Sequence, residues 1–181
     1  MDLKAVAVSS KLKEYREIKD LMCRAFPKEE LFPMWVLRAL ATRESVDFLA
    51  YYDADSFCGI SYSISSKDIV FALYLAVNEQ IRSRGYGSAI LQYLKRKFPD
   101  KQLALNIEQL EPGSKDYAQR VRRFAFYAKN GFVDTQYQIT DHSGSYQILA
   151  TTDNLPVEAY KSAIKQLSFG LYSPQVKKQT N

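Results

Sequence analysis

Three apolar and aromatic runs, at residues 48–52, 58–64 and 69–77, stand close together. Only the cluster Asp53-Ala54-Asp55-Ser56, with Phe57 after it, and the cluster Ser65-Ser66-Lys67-Asp68 separate them. Runs of that length and composition read as strands, and connections that short allow only hairpins. This predicts an antiparallel meander. The third run is apolar at successive positions, so both of its faces are expected to be covered, as in a central strand. From Gly87 the period changes. Ala89, Ile90, Leu91, Tyr93, Leu94 and Phe98 trace one face of a helix that ends near Pro99. Residues 103–107 return to strand, and a helix between two strands predicts a parallel crossover. The expected fold class is therefore α/β of the α+β kind, with a mixed, mostly antiparallel sheet flanked by helices.

The flanking segments fit that frame. Residues 3–8 can form an edge strand. Ser9 and Ser10 offer caps for a helix over 12–26, where Tyr15, Ile18, Leu21, Met22 and Ala25 share a stripe and Pro27 ends it. Pro33 suits the first turn of a second helix, over 33–41. A further helix is expected over 117–130, stopped by Asn130-Gly131. A closing hairpin over 132–140 and 146–151 turns about Asp141-His142-Ser143-Gly144, and a last helix over 157–167 precedes a polar tail. No linker or repeat interrupts the chain. A single domain over 1–181 is expected, with its core at about 3–151 and the C-terminal helix and tail at about 155–181.

The net charge of +5 fits an anionic small molecule as well as a nucleic acid. Arg120, Arg122 and Arg123 read as a solvated helix face, without the interleaved exposed aromatics of a nucleic-acid surface, so nucleic acid is not expected as a partner. Cys23 and Cys58 lack close spacing and a His partner, which points to buried, reduced thiols and to no metal. The opening residues do not resemble a signal peptide, and the longest apolar run is too short to span a bilayer. The cytoplasm is the expected compartment.

The segment carrying chemistry is Leu75-Ala76-Val77-Asn78-Glu79-Gln80-Ile81-Arg82-Ser83-Arg84-Gly85-Tyr86-Gly87-Ser88. A buried strand ends, a polar loop turns, and two closely spaced glycines open a helix. Glycine there permits unusual dihedrals and close backbone approach. The first helical N–H groups lack intrahelical partners and point outward with the positive end of the helix dipole. Together these suit a pyrophosphate. The segment is not a P-loop, because no Gly-Lys-Ser/Thr follows, and it lacks the third glycine of a dinucleotide fingerprint.

Arg82-x-x-Gly85-x-Gly87, directly after a strand reading Leu-Ala-Val, resembles the acyl-CoA-binding motif of the GNAT superfamily of N-acetyltransferases. The likeness includes the meander, the following helix, the strand near Leu103 and the segment Phe126-Tyr127-Ala128-Lys129-Asn130-Gly131-Phe132, and extends roughly over residues 3–150. It implies a splay of the central strand, where the backbone of Leu75, Ala76 and Val77 would meet the pantetheine arm of acetyl-CoA. Arg82, Ser83, Arg84, Gly85, Tyr86, Gly87 and Ser88 would hold its pyrophosphate. Tyr127 matches the tyrosine that protonates the leaving thiolate in many members. Members often place Asn about two turns before this tyrosine, where this chain has Gln119-Arg120, and histone-type members place a glutamate base where it has Phe71.

The implied activity is transfer of an acetyl group to a primary amine in a ternary complex, with acetyl-CoA and the amine as partners, no membrane, and a monomer or homodimer. Glu108, ending the strand after the cradle helix, is the base expected; the other reading is a surface carboxylate paired with an arginine. His142 falls in a hairpin tip. Glu29, Phe32 and Trp35 fall where the resemblance implies the acceptor pocket. The alternative to an enzyme is a non-catalytic acyl-CoA-binding module, in which the cradle persists without the chemistry.

Overall fold

The computed structural model describes residues 1–81, 84–141, 144–168 and 174–179. The chain divides into two compact units, Met1–Ile64 with Ala72–Pro99, and Ser65–Phe71 with Asp100–Asn181.

In the first unit, strand β1 (Lys4–Ala7) pairs antiparallel with β2 (Val46–Asp53), which pairs antiparallel with β3 (Ser56–Ser66). Strand β4 (Ile69–Val77) lies beside β3 and completes the predicted meander. Helices α1 (Tyr15–Ala25), α2 (Met34–Leu40) and α3 (Tyr86–Lys97) complete this unit. Its core includes Ile18, Leu21, Met22, Leu37, Leu40, Tyr51, Ile60, Tyr62 and Ile90, all close to fully buried. Each aliphatic side chain among them contributes about 1.5–3 kcal/mol relative to exposure.

Two expectations fail here. The serines at 9 and 10 do not cap α1. The chain spends that stretch in turns, with the Leu12 N–H donating to the Ser9 carbonyl and Tyr15 to Leu12, so the helix starts later, behind Glu14. The Glu14 carboxylate instead accepts from the Tyr52 hydroxyl at 3.0 Å. Cys23 is exposed, not buried, while Cys58 is buried. The buried stripe of α1 is Ile18, Leu21 and Met22, and one further residue turns Cys23 about 100° away from it.

In the second unit the first three residues of β4 pair in parallel with β5 (Gln102–Glu108), Ile69 with Gln102, Val70 with Leu103 and Phe71 with Ala104. This is the predicted crossover. From Ala104 to Glu108, β5 pairs antiparallel with β7 (Gly144–Ala150). Strand β7 pairs in turn with β6 (Val133–Asp141). Helices α4 (Tyr117–Lys129) and α5 (Val157–Lys165) belong to this unit.

The tail expected to be merely polar contains strand β8 (Gln175–Lys178), which pairs antiparallel with β6. Its sequence, Gln-Val-Lys-Lys, has only one apolar residue. Pairing at a sheet edge is made by the backbone, so such a segment can add to an open strand without an apolar face. The strands hydrogen-bond in the order β1-β2-β3-β4-β5-β7-β6-β8. No helix among the described residues is long and apolar enough to cross a membrane.

Candidate active site

The cradle segment begins where β4 ends. Asn78, only 7% exposed, anchors that end. Its N–H donates to the Cys58 carbonyl at 2.8 Å, and its Nδ2 donates to the Phe57 carbonyl at 3.1 Å and to Glu17 Oε1 at 2.9 Å. Its Oδ1 accepts from the Gln80 N–H at 3.2 Å. A short helical turn, Glu79–Ile81, follows. Arg82 and Ser83 lie outside the described residues. Gly85 then caps α3 in the left-handed region, with φ 82° and ψ 7°. A Cβ there would touch nothing among the described residues, so the backbone dihedral, rather than crowding, calls for glycine.

The first bond of the α3 ladder runs from the Ala89 N–H to the Gly85 carbonyl at 3.0 Å. The amides of Tyr86, Gly87 and Ser88 therefore have no acceptor within the helix. Tyr86 is buried, and its hydroxyl donates to Asp53 Oδ2 at 2.9 Å, which fixes the first turn to the meander. That hydrogen bond, with some help from burial, raises the phenol pKa. The structure thus brings Leu75, Ala76, Val77, Arg84, Gly85, Tyr86, Gly87 and Ser88 together as a strand end and a helix start in one unit.

In the second unit, Glu108 ends β5 and is ion-paired with Arg123 of α4. Arg120 also turns inward. Its Nε reaches Asp116 Oδ2 at 3.0 Å, and it donates to the Gln109 carbonyl at 2.8 Å. Arg120 holds the Asp116 carboxyl below the usual range. Two of the arginines expected to form a solvated face therefore bind their own helix to the end of β5. Tyr127 lies one turn beyond Arg123. Its ring packs edge-on against Phe126 and Phe132, with centroids at 5.1 and 5.7 Å. Burial pushes its phenol up to about 12, with Arg123 opposing and Glu108 adding to the shift. Its hydroxyl has no hydrogen-bond partner among the described residues. Phe71 is buried against Tyr160, at 5.4 Å between centroids. His142 lies outside the described residues.

The Acetyltransferase (GNAT) domain family matches residues 44–134, just over half of the chain. The chain belongs to the GNAT acetyltransferase family. A search of the curated proteins finds no match. Among solved structures, a Bacteroides thetaiotaomicron protein described as a GNAT-family acetyltransferase is similar, with a TM-score of 0.70 at 20% identity, over 95% of this chain and 100% of that one. The ribosomal-protein-S18-alanine N-acetyltransferase of Escherichia coli gives 0.60 at 15% identity, over 84% and 95%. An aminoglycoside 6'-N-acetyltransferase complexed with coenzyme A gives 0.62 at 14%, over 84% and 98%. At these identities the likeness is one of fold.

This GNAT chain also uses a residue that sequence reasoning passed over. A Cβ on Gly59 of β3 would lie 2.3 Å from the Ala76 carbonyl oxygen, 3.1 Å from Val77 Cα and 3.2 Å from Ile90 Cδ1. Gly59 thus lets β3 press against the strand end and α3 that frame the cradle. The available signal was an isolated glycine inside an apolar run, which marks close backbone approach. On the acceptor side, Glu29 is exposed, Phe32 is 36% exposed and Trp35 69% exposed. Trp35 borders a cleft of about 550 Å³, lined also by Ser9, Arg38 and Thr42, to which Glu29 and Phe32 do not contribute.

Proposed function

We propose that this chain moves an acetyl group from acetyl-CoA onto a primary amine, by direct attack of the amine within a ternary complex. The observation that carries the reading is Gly85, left-handed at φ 82°, opening a helix directly after the anchored end of β4. Amides at such a helix start bind a diphosphate through their donors and the positive end of the dipole. In this reading Arg82, Ser83, Arg84, Gly85, Tyr86, Gly87 and Ser88 hold the pyrophosphate. The backbone of Leu75, Ala76 and Val77 holds the pantetheine arm.

The amine nitrogen adds to the thioester carbonyl, the C–S bond breaks, and sulfur leaves with the electron pair. Glu108, held in position by Arg123, takes the proton that the amine sheds. Tyr127 offers its O–H to the departing sulfur. Its phenol stands near 12. A thiol ordinarily titrates at about 8.5, so complete proton transfer runs uphill and the O–H acts chiefly as a donor to developing charge. Glu29, Phe32 and Trp35 are proposed to contact the acceptor. Two similar folds are named for different amines, an alanine of a ribosomal protein and an aminoglycoside, so the proposal for this chain is the amine class as a whole. The cytoplasm, and a monomer or homodimer, complete the reading.

The test is a calorimetric titration with coenzyme A in competition with its nucleotide half, followed by thiol release from acetyl-CoA with a panel of amines. Saturable heat, loss of it on competition, and amine-dependent thiol release are expected. The absence of any heat on adding coenzyme A sinks the reading.

A further inference from the structure

Tyr74 occupies β4 immediately before the strand end that frames the cradle, yet its hydroxyl serves a different element. It is 3% exposed. The hydroxyl donates to the Glu30 carbonyl at 2.5 Å and accepts from the Phe32 N–H at 3.1 Å. Its ring packs on Phe26 at the end of α1, at 4.7 Å, and on Tyr62 at 6.2 Å. One buried group therefore holds two backbone positions of the segment joining α1 to α2, a stretch of turns in which the Glu30 N–H also donates to the Pro27 carbonyl at 3.1 Å. Tyr62 makes a different contact. Its hydroxyl donates to the Leu37 carbonyl at 3.1 Å, inside α2, where the helix ladder already holds the backbone.

We propose that Tyr74 is a positioning residue for the acceptor, setting where Phe32 stands by clamping the Glu30 carbonyl and the Phe32 amide to β4. The inference rests on the acetyltransferase reading above and deepens it. Irregular segments hold a geometry only as well as their anchors, and a buried hydroxyl shared by two backbone groups is a strong anchor. The same strand carries the proposed pantetheine contacts at Leu75, Ala76 and Val77. A single rigid element thus sets the spacing between thioester and acceptor segment.

The test is Y74F in the full chain, with Y62F as comparator, read three ways. Y74F should speed hydrogen exchange of the Phe32 amide at least about tenfold, while Y62F leaves it unchanged. The coenzyme A Kd should stay within about twofold for both variants. With the best of a panel comprising a tripeptide with a free N-terminus, a lysine peptide, kanamycin and spermidine, Y74F should raise amine KM about fivefold or more, with kcat changed less. Unchanged Phe32 exchange overturns the clamp. Equal acceleration in both variants, or a Kd that weakens in step with KM, overturns it too, because either marks general softening. A wild-type chain that binds no coenzyme A, or acetylates none of these amines, fails the function reading instead, and the exchange comparison still decides whether the clamp exists.

Discussion

Two glycines near the cradle are needed for different reasons, and the difference is measurable. Gly85 has room for a side chain but a φ of 82°. G85A therefore carries only the dihedral penalty, about 1 kcal/mol of stability. Gly59 has ordinary backbone but no room, its missing Cβ falling 2.3 Å from the Ala76 oxygen. G59A has to displace β4 or α3 and is expected to destabilise by about 2–3 kcal/mol, and to raise the coenzyme A Kd about tenfold through the shift of Ala76 and Val77. Denaturant unfolding and calorimetry check both, and a G59A no less stable than G85A refutes the contrast. Tyr127 offers a second residue-scale test. With its phenol pushed up to about 12, it stays protonated across the range in which enzymes are assayed. Y127F should lower kcat by about 10–100-fold at every pH from about 7 to 10, with coenzyme A affinity little changed. An alkaline limb below about pH 10 that vanishes in Y127F contradicts the raised phenol.

Among the elements, the end of α4 explains why Tyr-x-x-x-Gly-Phe is a unit. The Phe132 N–H donates to the Tyr127 carbonyl at 3.1 Å and the Gly131 N–H to the Ala128 carbonyl at 2.9 Å. Gly131 stands at φ 77° and the Phe132 ring closes on Tyr127. These are the two bonds, the left-handed residue and the apolar contact of a Schellman motif. The same cap that ends the helix holds the proposed acid. G131A should lower Tm by about 2–4 °C, as expected for roughly 1 kcal/mol in a chain of this size. It should also lower kcat more than it weakens coenzyme A binding, and a kcat left intact detaches the cap from the chemistry. This stop was legible, because Asn-Gly after a helical stripe has few other uses. The start of α1 was not: serines resemble caps anywhere, and the helix begins where the Ile18 N–H donates to the Glu14 carbonyl at 2.8 Å. The β8 strand was hidden for a similar reason, since edge pairing is written in the backbone.

Over the whole molecule, tyrosines with raised phenols make a single prediction about alkali. Burial raises the phenols of Tyr74 and Tyr127 to about 12, and those of Tyr51, Tyr52 and Tyr62 upward as well. Unfolded tyrosine titrates at about 10, so above that pH the native state keeps protons that the unfolded chain has released. Stability is therefore whole below about pH 10 and falls as pH rises toward the native values. Thermal melts from pH 7 to 11 should show a flat Tm and then a steep fall; a Tm as high at pH 11 as at 8 removes the prediction.

What the order of residues determined by itself is local. The meander, the crossover, the strand-to-helix turn with its paired glycines, the α4 stop and the family resemblance are all carried by short spacings, because periodicity, turn chemistry and backbone dihedrals act over a few positions. Tertiary structure decided everything that depends on which distant side chains meet. It gave Glu108 to Arg123, turned Arg120 inward, exposed Cys23, pressed Gly59 against Ala76 and aimed the Tyr74 hydroxyl at Glu30 and Phe32. Contacts between residues tens of positions apart depend on how elements pack, and no local pattern encodes them.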